Sequence, residues 1–131
     1  MSYNLLAIES LWLAAGFGFG YFLVVILLEA TILYLFKLNR FGRCFRDSIM
    51  ANIGSALLCL LLVLILNKVE IEEMTHLMIF SVFFLVASLF ESWIIKILNK
   101  DLKWSRILSA SLIMNLLTYA AGYYVFSTYM F

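Results

Sequence analysis

The chain has 131 residues, of which 66% are hydrophobic and only 13% charged, with a mean hydropathy of +1.06 and no proline. A soluble domain carries roughly 25% charged residues, so this composition excludes a soluble protein and predicts one embedded in a membrane. Nine basic residues against eight acidic ones leave a net charge of +1, which predicts no nucleic-acid partner.

Four long apolar runs predict four transmembrane helices. They cover residues 11–36, interrupted only by Glu29, then 48–66, then 77–95, interrupted only by Glu91, then 107–131. Because a hydrocarbon core about 30 Å thick needs about 20 helical residues, each run is long enough to span it. The runs do not alternate in polarity, which disfavours a transmembrane barrel. The predicted fold class is an all-α integral membrane protein, with residues 1–131 as a single four-helix domain.

The charges between the runs predict the orientation. Eight of the nine basic residues border the first and third connectors, whereas the second carries Lys68 beside Glu70, Glu72 and Glu73. By the positive-inside rule, connectors one and three face the cytoplasm and both termini lie outside. We predict a bacterial inner (plasma) membrane location. The predicted lipid-headgroup contacts are Arg40, Arg43, Lys103 and Arg106.

Aromatic residues fit the same orientation. Phe41 and Trp104 follow the basic connectors and are expected at the inner interface. The residues expected at the outer interface are Trp12, Tyr123, Tyr124 and Tyr129.

The two halves of the chain carry a matching pattern, which predicts a duplicated helical hairpin. Arg40, Phe41, Gly42 and Arg43 align with Lys103, Trp104, Ser105 and Arg106 at a constant offset of 63. At the same offset, Ser48, Asn52 and Ser55 align with Ser111, Asn115 and Thr118, while Glu29 aligns with Glu91 at an offset of 62. Two repeat units, about 11–66 and 77–131, then share one topology, and the predicted pseudo-two-fold axis runs along the membrane normal. The alternative is a chance match in an apolar sequence.

Helical spacing puts the polar members of this pattern on one face of each helix. Ser48, Asn52 and Ser55 share a face of helix two, and Ser111, Asn115 and Thr118 share the matching face of helix four. Such faces meet other helices in membranes. At 1.5 Å per residue, both glutamates and both asparagines lie about 9 to 13 Å inside the cytoplasmic helix ends. We therefore expect each carboxyl group to be bonded by the asparagine and serine of the next helix.

The glycine, cysteine and histidine patterns give only weak or negative predictions. Gly16 and Gly20 form a GxxxG pair on helix one, for which a tight helix contact is the prediction. Cys44 and Cys59 are too far apart on one helix to form a disulfide. No catalytic residues, metal site or cofactor are predicted, since nucleotide and metal motifs are absent and His76 is the single histidine.

Glu29 and Glu91 allow two functions, because a carboxylate in the bilayer interior costs at least about 2.5 kcal/mol and such acids often carry function. In the first, both acids retain their protons and fix helix pairing. In the second, they exchange protons or bind a cation, and the polar residues above are ion-binding candidates. The segment Leu28-Glu29-Ala30 and the four spans resemble the small multidrug-resistance exporters. That resemblance implies proton-coupled export, but a second equivalent glutamate and the strong charge bias depart from the family.

The predicted function is that of a non-catalytic subunit or assembly factor of a larger membrane complex, because the chain has almost no extramembrane part. Its expected partners are the lipid bilayer and either other membrane subunits or further copies of itself. The alternative is a small proton- or cation-coupled transporter or channel that uses Glu29 and Glu91.

Overall fold

The chain forms four α-helices, as the sequence predicts. The computed structural model describes residues 3–66 and 76–129. The helices are α1 (Tyr3–Leu35), α2 (Phe41–Leu66), α3 (His76–Leu98) and α4 (Trp104–Tyr129). All four helices begin before the apolar runs that predicted them, α3 by a single residue, because backbone hydrogen bonding continues through the polar and charged residues that flank the runs.

Some sequence predictions fall outside this description. The acidic second connector, with Lys68, Glu70, Glu72 and Glu73, lies outside the described residues. So do the side chains of Trp12, Tyr123, Tyr129 and His76.

Three of the four helices are long and apolar enough to cross a membrane. The qualifying segments are Gly18–Leu35, Phe41–Ile65 and Ser81–Leu98, and they are consistent with a membrane location. Helix α4 has the same length as α2, 26 residues. It lies outside this set because its serine, asparagine, threonine and tyrosine side chains lower its hydropathy. A fourth span therefore stays a prediction.

The helices pack as a four-cornered bundle. Helix α1 contacts α2 and α4, and α3 contacts α2 and α4, so that α1 and α3 occupy opposite corners. An apolar core fills the end of the bundle near the first and third connectors. Its buried members are Ala30, Ile32, Leu33, Leu38, Cys44, Ala51, Ile95, Ile107, Ala110 and Met114.

The bundle has polar groups inside and apolar groups outside. Glu29, Glu91 and Asn115 are at most 2% exposed, whereas Phe19, Leu57 and similar large side chains are more than 60% exposed. Exposed apolar surface of this extent requires an apolar environment or a partner. The arrangement therefore agrees with three membrane-crossing segments.

The glycines that pack closely are different from those predicted. Among the described residues, a Cβ added at Gly16 or Gly20 would meet no atom within 4 Å, so the tight contact predicted for this GxxxG pair is not found. A Cβ at Gly54 would instead lie 2.4 Å from Ile94 Cδ1 of α3. The reason is that Gly54 faces α3, whereas Gly16 and Gly20 face open space among the described residues.

Helix α1 ends in a Schellman motif that places a lysine in an unusual conformation. The N–H of Leu38 donates to the carbonyl of Leu33 (3.2 Å), and the N–H of Lys37 donates to that of Tyr34 (2.8 Å). Lys37 has a φ of 52°, the left-handed region that glycine normally supplies at this position. Burial of Leu33 and Leu38 in the core holds the turn in place.

Candidate functional site

Glu29 is held by the side chains that the sequence pattern predicts. It points from α1 to α2, where Ser48 Oγ lies 3.0 Å from its Oε2 and the Asn52 amide donates to the same oxygen. Ser48 Oγ is also 3.2 Å from the carbonyl of Ile26. Asn52 is itself fixed by a bond to the carbonyl of Ser48 (3.0 Å). The first carboxyl therefore lies in a polar niche between α1 and α2.

Glu91 has one predicted partner and one unexpected partner. Asn115 Nδ2 of α4 donates to Glu91 Oε2 at 2.5 Å, as expected. The predicted serine, Ser111, donates instead to the carbonyl of Ser88 (2.8 Å). The other carboxyl oxygen accepts a bond of 2.7 Å from Ser55 Oγ of α2. Glu91 thus turns toward the neighbouring hairpin, which removes its carboxyl group from the reach of Ser111.

Helix α2 contacts both carboxyl groups. Asn52 bonds to Glu29 and Ser55 bonds to Glu91, and these two residues are one helical turn apart, about 4.5 Å along the axis. Thr118, which aligns with Ser55, donates to the carbonyl of Asn115 at 3.1 Å. The two acids therefore meet at one level of the bundle through α2.

Hydrogen bonds at aligned positions match in kind. Asn52 and Asn115 each donate to a glutamate and to the serine carbonyl four residues earlier. Ser55 Oγ and Thr118 Oγ1 each lie within 3.2 Å of the carbonyl oxygen of the asparagine three residues earlier. Burial matches as well, since the aligned Ser48 and Ser111 are both fully buried.

Both carboxyl groups border one cavity of about 600 Å³. It lies among all four helices, on the side of the carboxyls away from the first and third connectors. The polar and aromatic residues that line it are Tyr21, Phe22, Glu29, Asn52, Ser55, Glu91, Asn115, Thr118 and Tyr119. The small and apolar ones are Gly18, Val25, Ala56, Cys59, Ala87 and Gly122. Such a volume is typical of sites for small organic molecules.

A tyrosine links α1 to α4 beside the cavity. Tyr21 donates its hydroxyl to the carbonyl of Thr118 at 3.0 Å. A Cβ at Gly122 would lie 2.7 Å from that hydroxyl, so glycine there gives the ring its space. Sequence reasoning missed Tyr21 and Tyr119, because it considered aromatic residues only as anchors at the membrane interface.

Two acidic residues line the cavity without a basic counterpart among its described residues. Among the described residues that line it there is no lysine, arginine or histidine, while two carboxyl groups are present. Lys96, the nearest basic residue to Glu91 in sequence within α3, donates its ammonium to the carbonyls of Lys100 and Leu102. The two acids can therefore be neutralised by protons or by a cation that enters the cavity.

A second polar cluster joins the first and third connectors. Asp47, 2% exposed, accepts hydrogen bonds from Arg46 at 2.6 Å and from Asn99 Nδ2 at 2.6 Å. Asn39 Nδ2 in turn donates to Asn99 Oδ1 at 2.8 Å. Sequence reasoning counted Asp47 only as a connector charge. Its position four residues before the buried Ala51 was the signal that it faces inward.

The remaining predicted residues lie on the surface. Arg40, Arg43, Lys103 and Arg106 are all exposed at the connector end of the bundle. They take no part in the carboxyl cluster.

The two cysteines offer a direct test of the cavity. Cys59 lines it and is partly exposed, whereas Cys44 is 1% exposed in the apolar core. We expect N-ethylmaleimide to modify the folded chain at Cys59 faster than at Cys44, as measured by intact-mass spectrometry. The Cys59→Ser variant is expected to lose the fast adduct and the Cys44→Ser variant to keep it. Equal rates at the two thiols would contradict the described cavity.

No protein-family model matches the chain, and no curated protein or solved structure is significantly similar to it.

Proposed function

We propose that the chain is a small membrane transporter that binds a cation, or exchanges protons, at Glu29 and Glu91. The observation that carries this proposal is that two carboxyl groups border one cavity whose described lining holds no basic side chain. Two ionised carboxylates that border one cavity of low dielectric repel each other strongly. Protons or an entering cation relieve this repulsion, and competition between the two is the basis of coupled exchange.

The hydrogen-bond donors favour reversible ionisation of the acids. Each carboxyl group accepts an asparagine amide and a serine hydroxyl, and these donors stabilise a carboxylate once a proton leaves. Purely structural acids need no open cavity beside them. Transport was the second of the two functions that the sequence allowed, and it is the one that the geometry supports best.

The proposed duplication adds to this function. Each hairpin supplies one glutamate and the asparagine that binds it, at offsets of 62 and 63, whereas the serine donors differ, since Ser48 lies beside Glu29 and Ser55 beside Glu91. Two hairpins of one topology place two equivalent sites at one depth, around an axis along the membrane normal. We propose that the pair acts as one binding centre. The proposed setting is a bacterial inner membrane, with connectors one and three in the cytoplasm.

The subunit function stays a prediction beside this proposal. Exposed apolar side chains on all four helices offer surfaces to other membrane subunits or to a second copy, and bilayer lipid covers such surfaces equally well. Catalysis and a cofactor form no part of the proposal. A chain that purifies from native membranes as a lone monomer would contradict the subunit function.

Proton flux into liposomes tests the transport function. The chain is reconstituted in vesicles that contain a pH-sensitive dye, and a pH gradient is imposed. We expect faster equilibration than in empty vesicles, and a return to the empty-vesicle rate when Glu29→Gln and Glu91→Gln are combined, because amides do not exchange protons in this range.

The matched control is Asp101→Asn, which neutralises an exposed carboxyl group in the third connector and is expected to leave the flux unchanged. Retention of the wild-type secondary structure by circular dichroism shows that each variant has folded. Flux that persists in the double variant, or a wild-type rate equal to that of empty vesicles, would overturn the proposal.

A further inference from the structure

A second cavity lies at the other end of α1, where the chain turns into α2. Its volume is about 360 Å³, and it is lined by Tyr34, Leu35, Lys37, Asn39 and Arg40. Leu35 is the last residue of a segment long enough to cross a membrane. The cavity therefore lies where a lipid-facing helix surface ends and basic residues begin.

Lys37 stands where the backbone favours glycine. Its φ of 52° lies in the left-handed region, which a side chain with a Cβ adopts at a cost in free energy. A Schellman turn normally has glycine at this position. A lysine here lowers the stability of the turn and supplies an ammonium group to the cavity.

The charges of this cavity are unneutralised and of one sign. Lys37 and Arg40 are both exposed, and no acidic side chain lines the cavity among the described residues. Among the described residues, the nearby acid Asp47 is paired with Arg46 and not with Lys37 or Arg40. The cavity is also lined by Arg40, the residue before α2, so it lies at the positive end of the dipole of that helix. These groups together suit a phosphate.

The apolar side of the cavity suits hydrocarbon. Leu35 is 69% exposed, and Tyr34 is 50% exposed with its ring edge-on to Phe41. A molecule with an anionic head and a hydrocarbon tail therefore matches both parts of the surface. A free phosphate ion would leave the Tyr34 and Leu35 side chains without a partner.

We propose that this cavity binds the headgroup of an acidic phospholipid, with the phosphate between Lys37 and Arg40 and the acyl chains along Tyr34 and Leu35. The site is separate from the carboxyl cavity. A gain in lipid binding explains why a lysine, and not a glycine, occupies this left-handed position.

Native mass spectrometry with added phosphatidylglycerol or phosphatidylcholine tests this site. We expect the wild-type chain to bind one phosphatidylglycerol more tightly than phosphatidylcholine. The variants Lys37→Gly and Arg40→Gln are each expected to lower that affinity about fivefold, the value of one basic group near an anionic headgroup. Lys37→Gly is also expected to raise Tm by about 4 °C, because it relieves the left-handed lysine.

The matched control is Lys100→Gln, which removes one exposed charge from the third connector and is expected to keep the wild-type affinity. An equal loss in Lys100→Gln would overturn the proposal in favour of general attraction by positive charge. Equal competition by inorganic phosphate would also overturn it, since the acyl contacts would then contribute nothing. A Lys37→Gly chain with unchanged lipid affinity would do the same.

Discussion

Replacement of Asn115 by leucine is expected to lower the free energy of unfolding by about 1 to 2 kcal/mol. The Asn115 amide donates to Glu91 Oε2 and is 2% exposed. Its loss leaves a buried carboxyl oxygen without its partner, which costs about 1 to 3 kcal/mol in proteins generally. Interhelical bonds in membranes average about 0.6 kcal/mol and reach about 1.7. Unfolding of the detergent-solubilised chain by sodium dodecyl sulfate measures the change.

The matched variant Asn52→Leu is expected to cost less, about 0.6 kcal/mol, because Asn52 is only partly buried beside the cavity. A double-mutant cycle of Asn115→Leu with Glu91→Gln isolates the pairwise energy. A coupling energy near zero would show that the Asn115 amide contributes nothing through Glu91. Equal losses for the two asparagines would contradict the difference in burial.

The Gly54→Leu variant is expected to lower the free energy of unfolding by about 2 to 3 kcal/mol, because it overpacks the contact between α2 and α3. A Cβ at Gly54 would lie 2.4 Å from Ile94 Cδ1 and 3.3 Å from Phe90 Cε1. The end of the Ile94 side chain can move aside for a methyl group, so Gly54→Ala is expected to be tolerated. The isobutyl group of leucine has no such space.

Gly20→Leu is the control for this variant. A Cβ at Gly20 would meet no described atom within 4 Å, and leucine has a higher helix propensity than glycine. We expect unchanged or slightly higher stability by the same denaturant measurement. A large loss at Gly20, together with none at Gly54, would place the close helix contact on the GxxxG pair after all.

The helices and the first carboxyl niche could be predicted from sequence because both depend on distances along one chain. Uncharged runs mark the hydrocarbon-length parts of helices, and four-residue spacing puts Ser48 and Asn52 on one face. Counting residues from the charged connectors gave the depth of each side chain along its helix, and this count placed Glu29 and Asn52 at similar depths. The extra helical turns, such as the start of α2 at Phe41, were missed because charge does not end backbone hydrogen bonding.

The contacts between hairpins could not be predicted, because they depend on how each helix is rotated about its axis. Residue spacing predicted which face of α2 carries Ser55. It did not predict that this face brings Ser55 to Glu91 of α3. The GxxxG pair shows the same limit, since a small-residue pattern permits close approach without specifying a neighbour. Tyr21 was missed because its bond to the Thr118 carbonyl depends on the space left by Gly122 on another helix.

The position of α2 between the two acids links their behaviour. Asn52 and Ser55 lie on one rigid turn, so a rotation of α2 that releases Glu29 also pulls Ser55 away from Glu91. Occupancy at one acid then changes affinity at the other, and the effect is reciprocal by thermodynamic necessity. Binding curves for any cation at the proposed centre should therefore depart from those of two independent sites, and Ser55→Ala, which leaves both carboxyls and their mutual repulsion in place, should reduce that departure without abolishing it.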